Sequence, residues 1–390
     1  MSTLVSEPVL ASQRALFEIP DDVTYLNCAS MSPQLRSVTE AGIDAVRAKA
    51  SPWHLRPADW FVHAEPLRAL FGRVVGAGAE SIALVPSASY GFAVAAANVS
   101  VRAGQAIVVL EREFPSSAYT WHEVAQRTGA HVVAVRRDAG ASWTDAVLAA
   151  LDGDVAVVAV PACHWTDGSL VDLERLAPTV RAAGAALVID ASQAAGAHPI
   201  DVASVQPDFL VAVGYKWLMG QYSLGYLYVA PKWCERGIPI EQSWMTRAGA
   251  EDFTRLVDYV DEFRPGARRF DMGEFSQFTL LPMSTAALTQ VVEWGVDRIS
   301  ASIGVLTAQI ARGATALGCE VPPESDRVRH MIGVKLPHGL PGGLTEQLAA
   351  ERIHVSVRGD SIRVAPHLYN DARDVERFLD VLADALGARR

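Results

Sequence analysis

Residues 186–196, ALVIDASQAAG, and residues 208–220, DFLVAVGYKWLMG, decide how this chain is read. Each opens on a short apolar run, the composition of a strand buried on both faces of a sheet. Each then presents a residue that such a strand has no packing use for. Asp190 closes the first run, and Lys216 stands three residues past Val213 at the end of the second. Only four lysines occur (49, 216, 232 and 335) among 34 basic residues, so arginine carries nearly all the positive charge. A lysine directly after an apolar strand is desolvated, which lowers its pKa and makes the amine nucleophilic.

Working outward, further short apolar runs lie at 81–86, 106–110, 131–135, 155–160 and 224–229, with helical patterns at 89–98, 118–128, 144–151 and 173–183 between them. This alternation predicts an α/β fold around a mainly parallel sheet of seven strands. Residues 236–280 are rich in Gly, Pro, Arg and aromatics without periodicity and read as a long functional loop. A helix from about 282 to 317 is expected to bridge to a C-terminal strand–helix–strand–strand–helix unit. The expected division is a large domain over 76–285 and a small α+β domain over 286–390, joined by the N-terminal segment 1–75.

With 390 residues, half of them hydrophobic, the chain can bury a large core. A net charge of −10 without a basic stripe argues against nucleic acid as a partner, while local arginines still permit an anionic substrate. Cys28, Cys163, Cys234 and Cys319 have no metal-site or disulfide spacing. No metal is expected. The N-terminus lacks a signal pattern and no apolar run reaches membrane-spanning length, so a cytoplasmic protein is expected.

Strand ends on one sheet edge are where open α/β sheets bind ligands, and several polar groups fall there. Asp190 and Lys216 on successive strands suit pyridoxal 5′-phosphate, whose aldehyde takes the amine and whose ring nitrogen takes the carboxylate. In PSASYGFAVAAANV (86–99), Ser87, Ala88 and Ser89 open an apolar helix, a place for a phosphate as well as an ordinary helix cap. Gln193 lies one loop step past Asp190, within reach of the phenolic oxygen of such a ring. EREFPSSAYTWHE (111–123) offers Phe114 as a ring to stack on the cofactor, with Ser117 beside it. ACHWTDGSLVDL (162–173) brings His164 as an acid–base candidate and Thr166 to the same edge. In SIRVAPHLYND (361–371), Arg363 sits inside an apolar strand, where it either anchors a substrate carboxylate or closes a structural ion pair. Arg358 and His367 are lesser candidates nearby.

Taken in order, these segments resemble the class V aminotransferase family of fold-type I pyridoxal-phosphate enzymes, over nearly the whole chain. The resemblance implies that Lys216 takes the cofactor aldehyde as a Schiff base, that Asp190 pairs with the ring nitrogen, and that Gln193 contacts the phenolic oxygen. The chain is most similar to the kynureninase, isopenicillin-N epimerase and cysteine desulfurase branches. EFPSS resembles the kynureninase FPSD segment, GYKW places Tyr215 at a phosphate-binding position, and RVAPHLYN makes Arg363 the anchor for the substrate α-carboxylate. Trp244 and RRFDMGEFSQF (268–278) resemble regions that reach a neighbouring subunit's cofactor, which implies a homodimer with shared active sites. Departures are Ser117 where kynureninase has aspartate, Gln193 where it often has histidine, and Gly273–Glu274 where desulfurases carry glycine–threonine. No cysteine precedes Arg358 in the loop where one desulfurase type keeps its nucleophile.

The expectation is therefore an enzyme acting on an α-amino acid, a lyase or an aminotransferase. The alternatives are an epimerase, a desulfurase-like C–S lyase, and a catalytically degenerate binding protein on the same fold. A nucleotide-binding oxidoreductase lacks its GxGxxG turn, and GQYSLG (220–225) has the wrong spacing for a serine-hydrolase elbow.

Overall fold

All seven apolar runs join one sheet in the computed structural model, which describes residues 9–138 and 140–387. A short strand β1 (Thr24–Tyr25) precedes them in the chain. The sheet contains β2 (Ile82–Val85), β3 (Ala106–Leu110), β4 (His131–Val135), β5 (Val155–Pro161), β6 (Ala186–Asp190), β7 (Phe209–Val213) and β8 (Gly225–Val229). Their spatial order is β2-β8-β7-β6-β5-β3-β4. Neighbours from β4 to β7 pair in parallel, and β8 is antiparallel to both β7 and β2. The short link from 214 to 224 holds no helix, so β8 returns beside β7 rather than crossing over.

Alternate residues of each strand enter separate cores. Leu84, Val108, Val160, Leu187 and Leu210 pack on one face with Leu176, Leu281 and Leu288. Val85, Val109, Val157, Val188 and Val211 pack on the other with Phe92 and Trp121. Gly91 permits a close approach there, because a Cβ would lie 2.7 Å from Cγ2 of Val211. The helix Ala88–Asn98 is thereby drawn down against β7, the strand that leads to Lys216.

A second unit completes the fold. Strands β9 (Ile332–Lys335), β10 (Ile353–His354), β11 (Ser356–Arg358) and β12 (Ser361–Val364) follow in the chain. β11, β12 and β9 form an antiparallel sheet, and β10 pairs in parallel with β1. Ile332, Val334, Ile362, Val364 and Phe378 make its core.

Two sequence expectations need revision. The bridging helix is two helices, Leu280–Trp294 and Val296–Ala316, separated at Gly295 with φ 80° and ψ 129°. That backbone conformation interrupts helical hydrogen bonding, and glycine adopts it readily. Residues 1–75 are read from sequence as part of the small unit, but those described, from 9 onward, divide between the two cores. Leu26 packs with Ile332 and Ile353, whereas Phe61, Leu67 and Phe71 pack with Leu84 of the large sheet. Buried Arg68 fixes the latter arrangement, with Nη1 and Nη2 donating to the two carboxylate oxygens of Asp271 at 2.8 and 2.7 Å.

Candidate active site

The C-terminal ends of β2, β3, β5, β6 and β7 open onto a cavity of about 410 Å³. Its wall includes Ser87, Ala88, Ser89, Phe114, Asp190, Gln193, Tyr215 and Lys216, all singled out in the sequence. Lys216 is 8% exposed, its Nζ 5.6 Å from the ring centre of Phe114 and 5.8 Å from that of Tyr215. Burial pushes its amine down to about 8, against the opposing charge of Asp190 and with further lowering by Arg363 and Arg358. Lys216 makes no salt bridge among the described residues, so the amine is held for something else.

Asp190 is the mirror case. Burial raises its carboxyl, while hydrogen bonding from Ser192 and the charge of Lys216 lower it. The Ser192 N–H donates to Oδ1 at 2.8 Å. A carboxylate so enclosed is stabilised by a cation placed against it.

Another part of the cavity wall is a helix start. Ser87 caps the helix Ala88–Asn98, its Oγ accepting from the N–H of Tyr90 at 3.1 Å and lying 2.8 Å from Oγ of Ser89. Free amides at a helix N-terminus, with hydroxyls beside them, are donors suited to a phosphate. Tyr215, tilted at 46° against Tyr222 with ring centres 4.6 Å apart, adds a phenol to the wall.

Gln193 reaches the cavity with its amide partly engaged. Oε1 accepts from Nε1 of Trp217 and Nε2 donates to the carbonyl of Ala29, each at 3.0 Å. One N–H of the amide is left over from these two bonds.

Other candidates lie outside the lining. His164 is buried behind the wall, stacked on Trp143 with 15° between ring planes. Its Nδ1 is 2.7 Å from Oγ1 of Thr166 and its Nε2 is 3.2 Å from the carbonyl of Glu111, so both nitrogens and the Thr166 hydroxyl are engaged. Ser117 is buried in the helix Pro115–Thr128, and its neighbour Ser116 faces the cavity instead. Trp244 lies in the long loop beside a different hollow, 42% exposed and packed edge-on against Phe61 and Phe253. His367 is fully buried, with its ring centre 6.0 Å from that of Trp217.

Arg363 is 1% exposed, and Nη1 donates to the carbonyl of Trp165 at 2.8 Å while Nε has no partner. No carboxylate neutralises it among the described residues, which removes the structural ion pair from the two readings of this residue. Trp165 itself lines the cavity, edge-on to Phe114 with ring centres 5.7 Å apart. The sequence placed Trp165 on this edge but gave it no role. Ser192, Tyr222 and Ser223 also line the cavity without a sequence signal of their own. Glu113 was missed altogether. It is buried just behind Phe114, with Oε2 lacking any partner.

This donor set fits pyridoxal 5′-phosphate. A desolvated amine can take its aldehyde, a buried carboxyl its ring nitrogen, a helix start its phosphate and Phe114 its ring face. The four cysteines lie elsewhere. Cys28 and Cys163 are buried beneath the wall with thiols raised by burial, the first to about 12.

Comparison with known proteins identifies the family and the fold. The family model for aminotransferase class-V matches residues 24–378. An uncharacterized aminotransferase, YcbU, of Bacillus subtilis (strain 168) is 24% identical over 375 residues, covering 95% of this chain and 96% of that protein. A kynureninase of Deinococcus radiodurans is 27% identical over 297 residues, 73% of this chain and 70% of its own. Among solved structures, a cysteine desulfurase from Thermococcus onnurineus NA1 superposes with a TM-score of 0.84 at 20% identity, covering 97% of this chain and all of the other. The chain belongs to the class V aminotransferase family, with the fold-type I architecture and a cavity for pyridoxal 5′-phosphate.

Proposed function

We propose that this protein is a pyridoxal-phosphate-dependent lyase or aminotransferase acting on an α-amino acid, with Lys216 as covalent anchor and proton carrier. The observation that carries this reading is the buried, unpaired amine of Lys216, pushed down to about 8 at the mouth of β7 beside Asp190. The cofactor, when bound, supplies an aldehyde for amine exchange and a ring that accepts the electron pair left by a broken bond at Cα.

The chain's own residues do the rest. Asp190 holds a proton on the ring nitrogen, and Phe114 presents its face to the ring. Ser87 and Ser89, with the helix start behind them and Tyr215 opposite, hold the phosphate. Arg363 grips the substrate α-carboxylate and so fixes which bond at Cα stands across the ring. Lys216, with its amine lowered by burial, would take and return a proton at the substrate Cα. Of the other readings, a persulfide-forming desulfurase is disfavoured because no cysteine lines the cavity among the described residues. A degenerate binding protein has no need of Lys216, Asp190 and Arg363 together.

The decisive experiment is spectroscopic. Protein reconstituted with pyridoxal 5′-phosphate should gain a visible absorbance band, and Lys216→Ala should lose its lysine-bound form. Adding an amino-acid panel should then perturb the band, and analysis of released ammonia, keto acid or side-chain fragment separates transamination from lyase chemistry. Wild-type protein that takes up no cofactor would falsify the proposal. Partner contributions belong to the same reading: a homodimer would bring the Trp244 loop of one subunit to the cavity of the other.

A further inference from the structure

Two arginines, Arg363 and Arg358, pack against Trp165 of the cavity wall, and one α-carboxylate needs only one of them. In the β11–β12 hairpin, Ser356 pairs with Arg363 and Arg358 pairs with Ser361. Side chains of 356, 358, 361 and 363 therefore share one face, and Arg358 is the diagonal cross-strand neighbour of Arg363, about 7–8 Å away. Like charges so placed repel unless something neutralises them.

No protein group does so. Arg363 donates to a carbonyl, that of Trp165. Arg358 donates to the carbonyl of its neighbour Val357 at 2.8 Å. Neither guanidinium is salt-bridged to a carboxylate among the described residues, and the Nε of each is buried without a partner. The nearby carboxylates are engaged elsewhere, Asp360 with Lys335 at 3.1 Å and Asp167 with Arg137 at 3.7 Å. Yet the protein carries a net charge of −10, so this pair of free cations is a local reversal of its overall sign.

Both arginines meet the cavity wall through Trp165, whose carbonyl accepts from Arg363. The Arg358 guanidinium lies 5.7 Å from the ring centre of Trp165, a residue of the cavity wall. Both arginine charges act on the amine of Lys216. One α-carboxylate satisfies one guanidinium fork in two bonds, which leaves the second fork free for a second anion.

We propose that the substrate is an amino acid with an anionic side chain, its α-carboxylate held by Arg363 and its side-chain carboxylate or sulfinate by Arg358. This rests on the amino-acid reading of the site and adds the class of side chain. Arg358 is half-buried with its Nε buried and unpartnered, so a neutral isostere that leaves this fork unpaired binds less well.

The test uses cofactor-loaded protein titrated with L-aspartate, L-glutamate and L-cysteine sulfinate against asparagine, glutamine and alanine, with affinity read from the shift in cofactor absorbance. Wild type should favour the anionic members about ten- to a hundredfold over their neutral counterparts. Arg358→Gln should abolish that preference, weakening anionic amino acids by about ten- to a hundredfold more than neutral ones, and Arg358→Lys should keep part of it. Arg363→Gln should weaken every amino acid. Equal losses for neutral and anionic ligands in Arg358→Gln would overturn the assignment, as would a wild type that prefers the neutral members. Melting shifts of cofactor-free protein with succinate against propionate provide a second readout. If no cofactor spectrum forms, the catalytic reading fails on its own, and a selective succinate shift lost in Arg358→Gln still supports the arginine pair, while no selective shift overturns it.

Discussion

At the residue scale, Lys216 and Glu113 show how one environment moves two groups in opposite directions. Burial disfavours charge on either, so the amine falls to about 8 and the Glu113 carboxyl rises to about 8. Glu113 is 7% exposed, and Oε1 accepts the Phe114 N–H at 2.6 Å, which lowers its pKa, while the Asp190 charge raises it. Near pH 7 the folded protein therefore keeps a proton that the unfolded chain has released above its ordinary value of 4.5. The unfolded state gains on the folded one as pH rises from 4.5 to about 8, a cost of about 3 kcal/mol by pH 7. Glu113→Gln is neutral throughout and escapes that cost. Urea unfolding of cofactor-free protein should find the variant about 1–3 kcal/mol more stable than wild type at pH 7, and the two nearly equal near pH 4.5. A difference that does not change with pH would show that Glu113 is not a buried protonated acid. Lys216 and Asp190 were legible in the sequence because each interrupts an apolar run. Glu113 was not, since it sits in the charged string EREF, which reads as a solvated loop.

At the scale of elements, strands announced themselves and their neighbours did not. The inner strands of the large sheet are nearly continuous β-branched or apolar runs, a pattern that burial on both faces requires, whereas edge strand β4 opens on His131 and is largely exposed or half-buried. The same uniformity hides direction, so nothing in GYLYV marks β8 as antiparallel. Cavity residues such as Tyr222 and Ser223 were invisible for a related reason. Their position depends on how the 214–224 link folds back, and that follows from β8 pairing with β7. The helix break shows the converse, where one glycine overrides a helical pattern that continues on both sides. Gly295 has φ 80°, and a Cβ there would meet nothing closer than Cδ of Arg298 at 3.9 Å. Gly295→Ala thus tests backbone strain without a steric clash. It should lower stability by about 1–3 kcal/mol, read as a reduced urea midpoint with an unchanged slope. An unaltered midpoint would mean the chain straightens through residue 295 at no cost.

At the scale of the whole molecule, the cavity wall with Lys216 comes from the large unit, and Arg363 of the small unit reaches it by donating to the Trp165 carbonyl. The domain boundary drawn from sequence put residues 1–75 with the small unit, because helical periodicity says which face is apolar and not which core receives it. One large feature remains uncovered. The 236–262 stretch presents Ile238 at 64% exposure, Val257 at 80% and Tyr259 at 96%, with Trp244 and Leu256 also exposed. Apolar patches of this kind on an ordered surface mark a protein contact. The stretch is held at its base, where the Gly273 N–H donates to Glu241 Oε2 at 2.6 Å and Arg264 pairs with Glu251 at 3.1 Å. An anchored apolar loop suits a permanent contact between two copies, consistent with the proposed homodimer. Light scattering should give twice the 41.9 kDa chain mass, and Val257→Asp with Tyr259→Ser should shift the protein toward that single mass. If the partner's loop helps to close the cavity, the same double variant should also release bound cofactor more readily, seen as loss of visible absorbance on dilution. A wild-type monomer that retains cofactor would remove the loop from the active site altogether.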